Sequence, residues 1–512
     1  MSLLKEAQQV AAEFQYSTTD LNKGVKAFIT QMLTQETKPG GLDDGLQKTG
    51  TSLSQIPTYV TAVPNGTEKG LYLAVDLGGT NFRVCSIQLH GNTTFSLTQS
   101  KVAIPRELMT AKTSKELFSF LARQIESFLK THHDVHYQAH VERRRAGSSR
   151  QDFTTEEIFQ LGFTFSFPVN QIGINRGTLA RWTKGFDIDD AVGKDVCELL
   201  QVEIDALHLP IRVAALVNDT VGTLMARSYT SPGKTGTLVG AIFGTGTNGA
   251  YVEKLDKLTK LSSMQGSDYD QSTGEMIVNT EWGSFDNHMS VLPNTPYDDT
   301  LDKNSNNPGI QMFEKRVSGM FLGEILRLAM ISLVQNTRCQ FLKDANSSTN
   351  DIRSTTTIAE DSALYRQWGI DTSFLSIVRA DSSSSLQAVR QTLSRDLSIE
   401  AASVEDAEAV KILVDSIGKR AARLSAVALS GVIISTGHHI SKGGGEDDIV
   451  DVGVDGSLVE FYPGFEDYTR EAFREIPEIG VKGEKRIRIG IAKDGSGVGA
   501  ALIALVAAQK DT

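Results

Sequence analysis

The residues best suited to chemistry lie in one short stretch, 71–84, where an apolar run ends at an acidic residue and a glycine turn. Leu71 to Val75 is nearly continuous apolar sequence, which is typical of a strand buried on both faces. Asp76 follows, and then Gly78, Gly79, Thr80 and Asn81. Adjacent glycines let backbone N–H groups face an anion, and a carboxylate at the strand end can hold Mg²⁺ through water. The stretch therefore predicts a phosphate-binding turn, although a hairpin turn with a capping Asp has the same pattern.

A second stretch, 237–252, repeats this arrangement of apolar strand, glycine turn and strand. Its turn contains Gly244, Thr245, Gly246 and Asn248. One glycine turn is weak evidence, but two of the same kind indicate two similar lobes that grip one nucleotide. A further turn at a strand end, 453–457, is suited to close approach of a nucleotide base or ribose.

Polar side chains stand among aromatic residues in the stretch 161–188. Ser166, Thr183 and Lys184 have the composition of a pocket that binds a polyol through a few hydrogen bonds. Lys184 also supplies a positive charge for a transferring phosphoryl group. Taken singly, the three residues read equally as a capping Ser, a strand Thr and a surface Lys.

Three acidic residues follow predicted strands or flank a helix. Asn218 and Asp219 fall between a buried strand and a helix, so Asp219 is either a helix cap or a general base at the carboxyl end of a strand. This stretch alone does not separate the two. Glu281 lies just past a short strand. Glu314 flanks the apolar stripe of a helix, where spacing alone favours a solvated side chain.

Alternating strands and helices predict an α/β protein with mixed sheets. The chain has 512 residues, which is too long for a single core, so two lobes are expected. The pattern predicts a long helix that starts near Pro308 and another over Ile412–Ile434. Residues 131–157 are polar, His-rich and then basic. They are interpreted as a solvated surface loop rather than a metal-binding tract.

The overall charge excludes some classes of protein. The formal net charge is −11, which argues against a general nucleic-acid or membrane-surface binder. The three cysteines are sparse and form no C-x-x-C pair, which indicates a reducing compartment. No signal-peptide core or membrane-spanning run is present, so we expect a cytoplasmic protein, either a monomer or a weak homodimer.

Seven segments together carry a resemblance to a known family. The sequence resembles the eukaryotic hexokinase family, and within it the fungal glucokinase branch, from about residue 56 to the C-terminus. The segments are LGFTFSFPVNQIGINRGTLARWTKGF, DLGGTNFRV, VNDTVGT, FGTGTNGAY, NTEWGSFD, NPGIQMFEKRVSGMFLGE and VGVDGSLVEFYPGF. The first matches the family's sugar-binding signature.

The resemblance implies a fold, a division into lobes and a reaction. The fold is the two-lobe actin-like (ribonuclease-H-like) ATPase fold, with mixed sheets flanked by helices and a cleft that sugar closes. The small lobe comprises 68–219 and 496–512, and the large lobe 1–67 and 220–495. The reaction is ATP-dependent phosphorylation of glucose, and of other hexoses, at the C6 hydroxyl. It gives hexose 6-phosphate and ADP, the first step of glycolysis.

Site residues are implied in the same way. Asp219 is the general base and Lys184 assists it. The hexose is lined by Ser166, Thr183, Lys184, Asn218, Asp219, Asn248, Glu281 and Glu314. The nucleotide is bound by Asp76, Gly78, Gly79, Thr80, Asn81, Arg83, Gly244, Thr245 and Gly246, with Gly456 and Ser457 at the adenosine. Mg²⁺ is carried by ATP, and Asp76 reaches it through water.

Two other functions are compatible with parts of this pattern. A catalytically silent sugar sensor would share the fold, but the intact Asp219, Lys184 and phosphate turns argue against it. An actin-like or chaperone-like ATPase would share the nucleotide lobes, but the signature at 161–188 argues against that.

Overall fold

The structure is a computed structural model that describes most of the chain. The described residues are 2–33, 53–79, 81–145, 158–182, 184–234, 236–258, 261, 269–343, 356–445, 448–492 and 494–510. Thr80 and Thr183, two predicted site residues, lie outside these ranges. Within the ranges, no helix has the length and apolar character needed to cross a bilayer.

The strands form two large sheets and two small ones. In chain order they are β1 (Ile56–Pro57), β2 (Lys69–Leu77), β3 (Asn81–His90), β4 (Phe95–Ala103), β5 (Phe159–Phe165), β6 (Val169–Gly173), β7 (Arg176–Leu179), β8 (Ile211–Val217), β9 (Thr237–Phe243), β10 (Thr247–Lys254), β11 (Glu275–Asn279), β12 (Thr357–Ile358), β13 (Ile399–Glu400), β14 (Val450–Asp455) and β15 (Ile487–Ile491).

The helices surround and separate these sheets. They are α1 (Leu3–Ala12), α2 (Thr18–Leu33), α3 (Arg106–Met109), α4 (Ser114–His132), α5 (Asp134–Arg145), α6 (Val196–Ala206), α7 (Asp219–Thr230), α8 (Pro296–Lys303), α9 (Glu314–Val317), α10 (Gly319–Gln335), α11 (Thr372–Ala380), α12 (Gln387–Leu397), α13 (Val404–Ser435), α14 (Ser457–Phe461), α15 (Phe465–Glu475), α16 (Gly480–Glu484) and α17 (Gly495–Lys510).

The five-stranded sheet has the order β4-β3-β2-β5-β8. Strands β2, β5 and β8 are parallel neighbours, whereas β3 and β4 run antiparallel. All seven residues of β5 are buried, and the polar Gln160 and Thr164 are among them. The carboxyl ends of β2, β5 and β8 therefore meet at one edge.

The six-stranded sheet has the order β1-β11-β10-β9-β14-β15. Strands β9, β10 and β11 are antiparallel, and β14 runs parallel to both β9 and β15. Both glycine turns predicted to bind phosphate connect antiparallel strands, one between β2 and β3 and the other between β9 and β10. The expectation of mixed sheets is confirmed.

Helices α7 and α17 lie in close contact with each other and with both large sheets. Helix α7 packs on β9, β10 and β14, and α17 packs on β2, β5 and β8. A Cβ at Gly499 of α17 would overlap the backbone of Gly222 in α7. A Cβ at Gly240 of β9 would lie 2.5 Å from the backbone nitrogen of Leu224. Glycine at these crossings brings the two sheets close together.

Helix α13 is the longest helix among the described residues. Ser403 and Asp406 form a capping box at its start, and most of its 32 residues are buried. It contacts α1, α2, α10 and α15. The predicted helix over 412–434 is thus confirmed and extends at both ends.

Two sequence expectations were wrong. The helix predicted from Pro308 begins at Glu314 and is broken at Ser318, whose backbone is extended. Within the polar stretch 131–157, residues Asp134–Arg145 form helix α5, and 146–157 lie outside the described residues. The reason is packing: the ring of His136 lies 4.4 Å from that of Phe159, a contact that hydropathy does not reveal. The described residues contain no group of three metal ligands.

Replacing Gly499 by Ala should destabilise the contact between α7 and α17. The added methyl group meets backbone that cannot yield like a side chain, so the free energy of unfolding should fall by about 1–3 kcal/mol. Gly497→Ala is the matched control, because a Cβ there meets only Cys85 Sγ at 3.5 Å. It should leave stability unchanged or raise it by up to about 1 kcal/mol. Chemical denaturation measures both, and equal effects would contradict the proposed contact.

Candidate active site

Three parallel strands deliver polar residues to the same edge of the five-stranded sheet. Asp76 lies near the end of β2, Ser166 follows β5, and Asn218 follows β8. The N–H of Ser166 donates to the carbonyl of Leu77 at 3.1 Å, which continues the pairing of β2 and β5 past the strand end. Ligands bind at such carboxyl ends in open α/β sheets.

The first glycine turn lies directly beside these groups. Gly79 has φ +133, a conformation that favours glycine. A Cβ at Gly78 would stand 3.2 Å from Asp76 Oδ1 and 3.4 Å from Ser166 Oγ. Asn81 opens β3. The turn therefore leaves a backbone-lined space next to a carboxylate and a hydroxyl, as the sequence predicted.

Arg83 connects this turn to the start of the last helix. Its guanidinium donates to Asp76 Oδ2 at 3.1 Å and to Asp494 Oδ1 at 3.3 Å, and it contacts the hydroxyl of Ser496. The predicted phosphate-loop Arg83 thus lies between two carboxylates and orients Asp76. The sequence analysis did not select Asp494 and Ser496. The only signal in their segment is a glycine turn between a strand and an apolar helix.

Lys184 is held over the edge of the sheet in a left-handed conformation, with φ +58. Its Nζ donates to the carbonyl of Ser166 at 2.9 Å and lies 5.4 Å from the ring centroid of Phe167. The preceding Trp182 stacks on Phe186 at 5.3 Å. Packing of these rings supports a backbone state that costs roughly 1–3 kcal/mol for a residue other than glycine.

The structure places the Asn218–Asp219 pair at the start of α7. Asn218 is the N-cap of α7, and its side chain accepts a hydrogen bond from the backbone N–H of Thr220 at 2.9 Å. Asp219 is the first residue of the helix. Burial raises the pKa of Asp219 and the backbone N–H of Thr220 opposes that rise, so the carboxylate of Asp219 lies at the start of the helix as well.

The second glycine turn belongs to the six-stranded sheet. The N–H of Gly244 donates to the carbonyl of Gly246 at 3.0 Å, and the carbonyl of Thr245 accepts from Met320. A Cβ at Gly244 would lie 3.3 Å from the Cα of Gly456 and 3.6 Å from the backbone nitrogen of Ser457. The predicted phosphate turn and the predicted adenosine turn are therefore adjacent.

Glu314 borders this turn rather than solvent. Its Oε2 accepts the backbone N–H of Thr247 at 2.9 Å. A Cβ at Gly246 would come within 2.9 Å of the same oxygen. Helical spacing alone favoured a solvated side chain for Glu314. In the structure its carboxylate is half-buried and lies beside the start of β10.

Asn248 of β10 and Glu281, which lies two residues past the end of β11, are side by side. Asn248 Nδ2 donates to Glu281 Oε1 at 3.2 Å, and Asn279 Nδ2 donates to the same oxygen at 2.7 Å. Glu281 has φ +54, again left-handed. Asn279 was missed by sequence analysis; the available signal was a polar residue ending an apolar strand two positions before Glu281.

Electrostatic coupling brings the two sheets' residues into one site. Burial, then the charge of Glu281, raises the pKa of Asp219 to about 6, while Lys184 opposes that rise. Burial raises the pKa of Glu314 to about 7, and the carboxylates of Glu281 and Asp219 add to the shift. Burial lowers the pKa of Lys184, against the attraction of Asp219, Asp76 and Glu314. Three carboxylates and one ammonium therefore share a poorly solvated space.

Comparisons with known proteins agree with this geometry. Two family models, both described as hexokinase, match residues 6–229 and 238–506. Glucokinase of Aspergillus niger is 62% identical over 511 residues, which cover 100% of this chain and 98% of that protein. Glucokinase-1 of Saccharomyces cerevisiae is 40% identical over 519 residues, 99% of this chain and 98% of that protein.

A solved structure extends the likeness to the fold. The hexokinase from Schistosoma mansoni, complexed with glucose, is 32% identical, covers 98% of both chains and gives a TM-score of 0.74. The two-lobe, actin-like architecture predicted from the sequence is thereby confirmed. With both halves matched by family models and relatives aligned along nearly its whole length, the chain belongs to the hexokinase family.

Proposed function

We propose that this hexokinase transfers the γ-phosphoryl group of ATP to the C6 hydroxyl of glucose. One observation carries the proposal: Asp219 lies at the carboxyl end of β8, with its pKa raised to about 6, coupled to Lys184 and to two further carboxylates. A base for a hydroxyl at neutral pH needs such a pKa. The names of the relatives, two glucokinases and a glucose-bound hexokinase, support glucose as the substrate.

The sugar is held by groups from both sheets. The carboxylates of Glu281 and Glu314 accept hydrogen bonds from hydroxyl groups of the sugar ring. A sugar analogue that lacks one of these hydroxyls is rejected because it leaves a carboxylate oxygen unpaired. The remaining groups of the proposed sugar site contribute further hydrogen bonds. They are Ser166, Thr183, Lys184, Asn218 and Asn248.

ATP lies between the two glycine turns. Backbone N–H groups of Gly78, Gly79 and Gly246 bind its phosphates, Gly244 shapes the second turn, and the side chains of Thr80, Asn81 and Thr245 assist. The 456–457 turn contacts the adenosine, which is consistent with its adjacency to Gly244.

The residues present fit a Mg²⁺ ion carried by the nucleotide. Such an ion takes one or two protein carboxylates and otherwise phosphate and water oxygens. Asp76 offers Oδ1 beside the open first turn, while Arg83 occupies Oδ2. When bound, Mg²⁺ supplies charge neutralisation on the phosphates.

The chain's own residues manage the proton and the developing charge. Asp219 accepts the proton of the C6 hydroxyl as its oxygen attacks the γ-phosphorus and the bond to ADP breaks. Lys184 keeps Asp219 ionised and stabilises charge on the transferring phosphoryl group. Most of the rate enhancement comes from this positioning, because the transfer needs little covalent chemistry from the protein.

We further propose the lobe boundaries 68–219 with 496–512, and 1–67 with 220–495. Support comes from the sheets: every strand of the five-stranded sheet falls in the first set, and every strand of the six-stranded sheet falls in the second. Closure of the two lobes around sugar would complete the site and exclude water as a competing nucleophile.

Cytoplasmic location and a monomer or weak homodimer complete the proposal. All three cysteines are buried and unpaired, as expected in a reducing compartment. A coupled assay for sugar phosphate across a panel of hexoses tests the function. Sugar-independent ATP turnover would favour a chaperone-like ATPase, and sugar binding without turnover would favour a sensor.

Replacing Asp219 by Ala should remove turnover and spare sugar binding. Loss of the base should lower kcat by about 10²–10⁴-fold. Glucose should still bind, because Glu281, Glu314 and Asn248 remain. Steady-state kinetics and equilibrium glucose binding measure the two effects, and near-normal kcat would overturn the base assignment.

The pH dependence of kcat/KM should report the same carboxylate. Since Asp219 acts in its ionised form, kcat/KM should fall as pH drops through about 6. Lys184→Met removes the charge that lowers the pKa of Asp219, so the acid limb should move to higher pH. Glu314→Gln is the control, because Glu314 titrates near pH 7. An acid limb abolished by Glu314→Gln and unmoved by Lys184→Met would contradict the assignment.

Intrinsic fluorescence should respond to glucose through Trp182. This indole adjoins Thr183 and Lys184 and donates to the carbonyl of Ile188 at 2.9 Å. Closure of the lobes expels water and so changes the polarity of the surroundings of this indole. Trp182→Phe should remove much of a saturable glucose response, whereas Trp368→Phe, at a ring packed on Phe321, should retain it. A response carried by Trp368 would misplace the sugar site.

A further inference from the structure

Asn279, the last residue of β11, is a buried side chain that touches two proposed sugar ligands. It is 5% exposed. Its Nδ2 donates to Glu281 Oε1 at 2.7 Å, and its Oδ1 accepts from Asn248 Nδ2 at 2.9 Å and from the backbone N–H of Glu281 at 3.3 Å. One amide thus contacts Glu281 twice and Asn248 once.

Asn248 is held in the same network through both the nitrogen and the oxygen of its amide. Its Nδ2 donates to Asn279 and Glu281, and its Oδ1 accepts from the N–H of Gly249 at 2.8 Å and from Thr280 Oγ1 at 3.4 Å. Glu281 Oε1 receives two donors, whereas Oε2 has no hydrogen-bond partner among the described residues. The two oxygens of Glu281 are therefore unlike: one is fixed by amides and the other is left for a ligand.

A bystander Asn that merely ends a strand would not need this geometry. The backbone of Glu281 is left-handed, a conformation that costs a residue other than glycine roughly 1–3 kcal/mol. The bonds from Asn279 hold both its N–H and its carboxylate. We infer that Asn279 is a positioning residue that fixes Glu281 with Oε2 presented to a hydroxyl of the hexose. This inference rests on the proposed function.

The charges around Glu281 determine how the role can be detected. Burial raises the pKa of Glu281, and the amides of Asn279 and Asn248 and the guanidinium of Arg181 oppose the rise. The carboxylates of Asp219 and Glu314 also face it. Loss of the amide donor from Asn279 therefore raises the pKa of Glu281 further and favours its protonated form.

Two substitutions at position 279 should give opposite pH dependences of glucose affinity. Asn279→Leu keeps the number of side-chain heavy atoms and removes the donor, so the affinity loss relative to the wild type should grow as pH falls and Glu281 protonates. Asn279→Asp keeps the shape. At low pH the two carboxyl groups share one proton and mimic the amide bond; at high pH both ionise and repel. Its affinity loss should therefore grow as pH rises.

The measurement is the dissociation constant of glucose by equilibrium binding between about pH 6 and about pH 8.5, taken as a ratio to the wild type at each pH. The ratio cancels the shared titration of Asp219 and Glu314. A charge-assisted hydrogen bond corresponds to a loss of about tenfold to a hundredfold. The matched control is Asn336→Asp, which puts a carboxyl beside the buried Glu6, whose Oε2 accepts from Asn336 at 3.0 Å. Its ratio should stay near one.

Each outcome decides the inference. Opposite slopes for the two variants support positioning of Glu281. Equal, pH-independent losses would assign Asn279 a structural role only and overturn the inference, as would ratios near one for both variants. If Asn279→Leu fails to fold, the isosteric Asn279→Asp alone still decides by the sign of its slope. Failure of the wild type to phosphorylate glucose would instead overturn the proposed function.

Discussion

The removal of water from Asp219, Glu281 and Glu314 is the constraint on which the rest of the site depends. Desolvation disfavours each charge, and the three carboxylates also repel one another. Each is compensated by a different neighbour: Lys184 for Asp219, the backbone N–H of Thr247 for Glu314, and two amides for Glu281. An acidic site can therefore exist near neutral pH without a resident counter-ion for every carboxylate, and the pKa of Asp219 stays close to the value that a base requires.

Backbone geometry sets where those compensating groups stand. Lys184 and Glu281 both have left-handed backbones, one next to the five-stranded sheet and the other next to the six-stranded sheet. Each is held by packing or hydrogen bonds from the segment before it. At the crossing of α7 and α17, Gly222 and Gly499 permit backbone contact, and α7 begins at Asp219. The contact between the two helices therefore helps to fix the start of α7, and with it the position of Asp219.

The sequence predicted the fold class, the family and most of the elements, and its errors have physical causes. The roles of the site residues stay predictions. Local patterns identified both glycine turns, because two adjacent strands and a tight turn are encoded within about fifteen residues. The role of Asp219 was open because a cap and a base share residue types; only the structure places the capping bond on Asn218. Glu314 was judged solvated because helical spacing cannot report Thr247, which lies far away in sequence. Helix α5 was missed because its sequence is polar, and the packing of His136 on Phe159 cannot be read from hydropathy.

The same charge distribution explains why sugar and nucleotide should act differently on the cleft. A neutral polyol brings hydroxyl donors to carboxylates that lack solvent, so its binding satisfies acceptors contributed by both sheets at once. ATP brings further negative charge toward a space that already holds three carboxylates. Sugar is thus the ligand that binds more tightly when the two sheets approach each other. A ligand shifts the equilibrium between an open and a closed cleft only if it binds one of the two states more tightly.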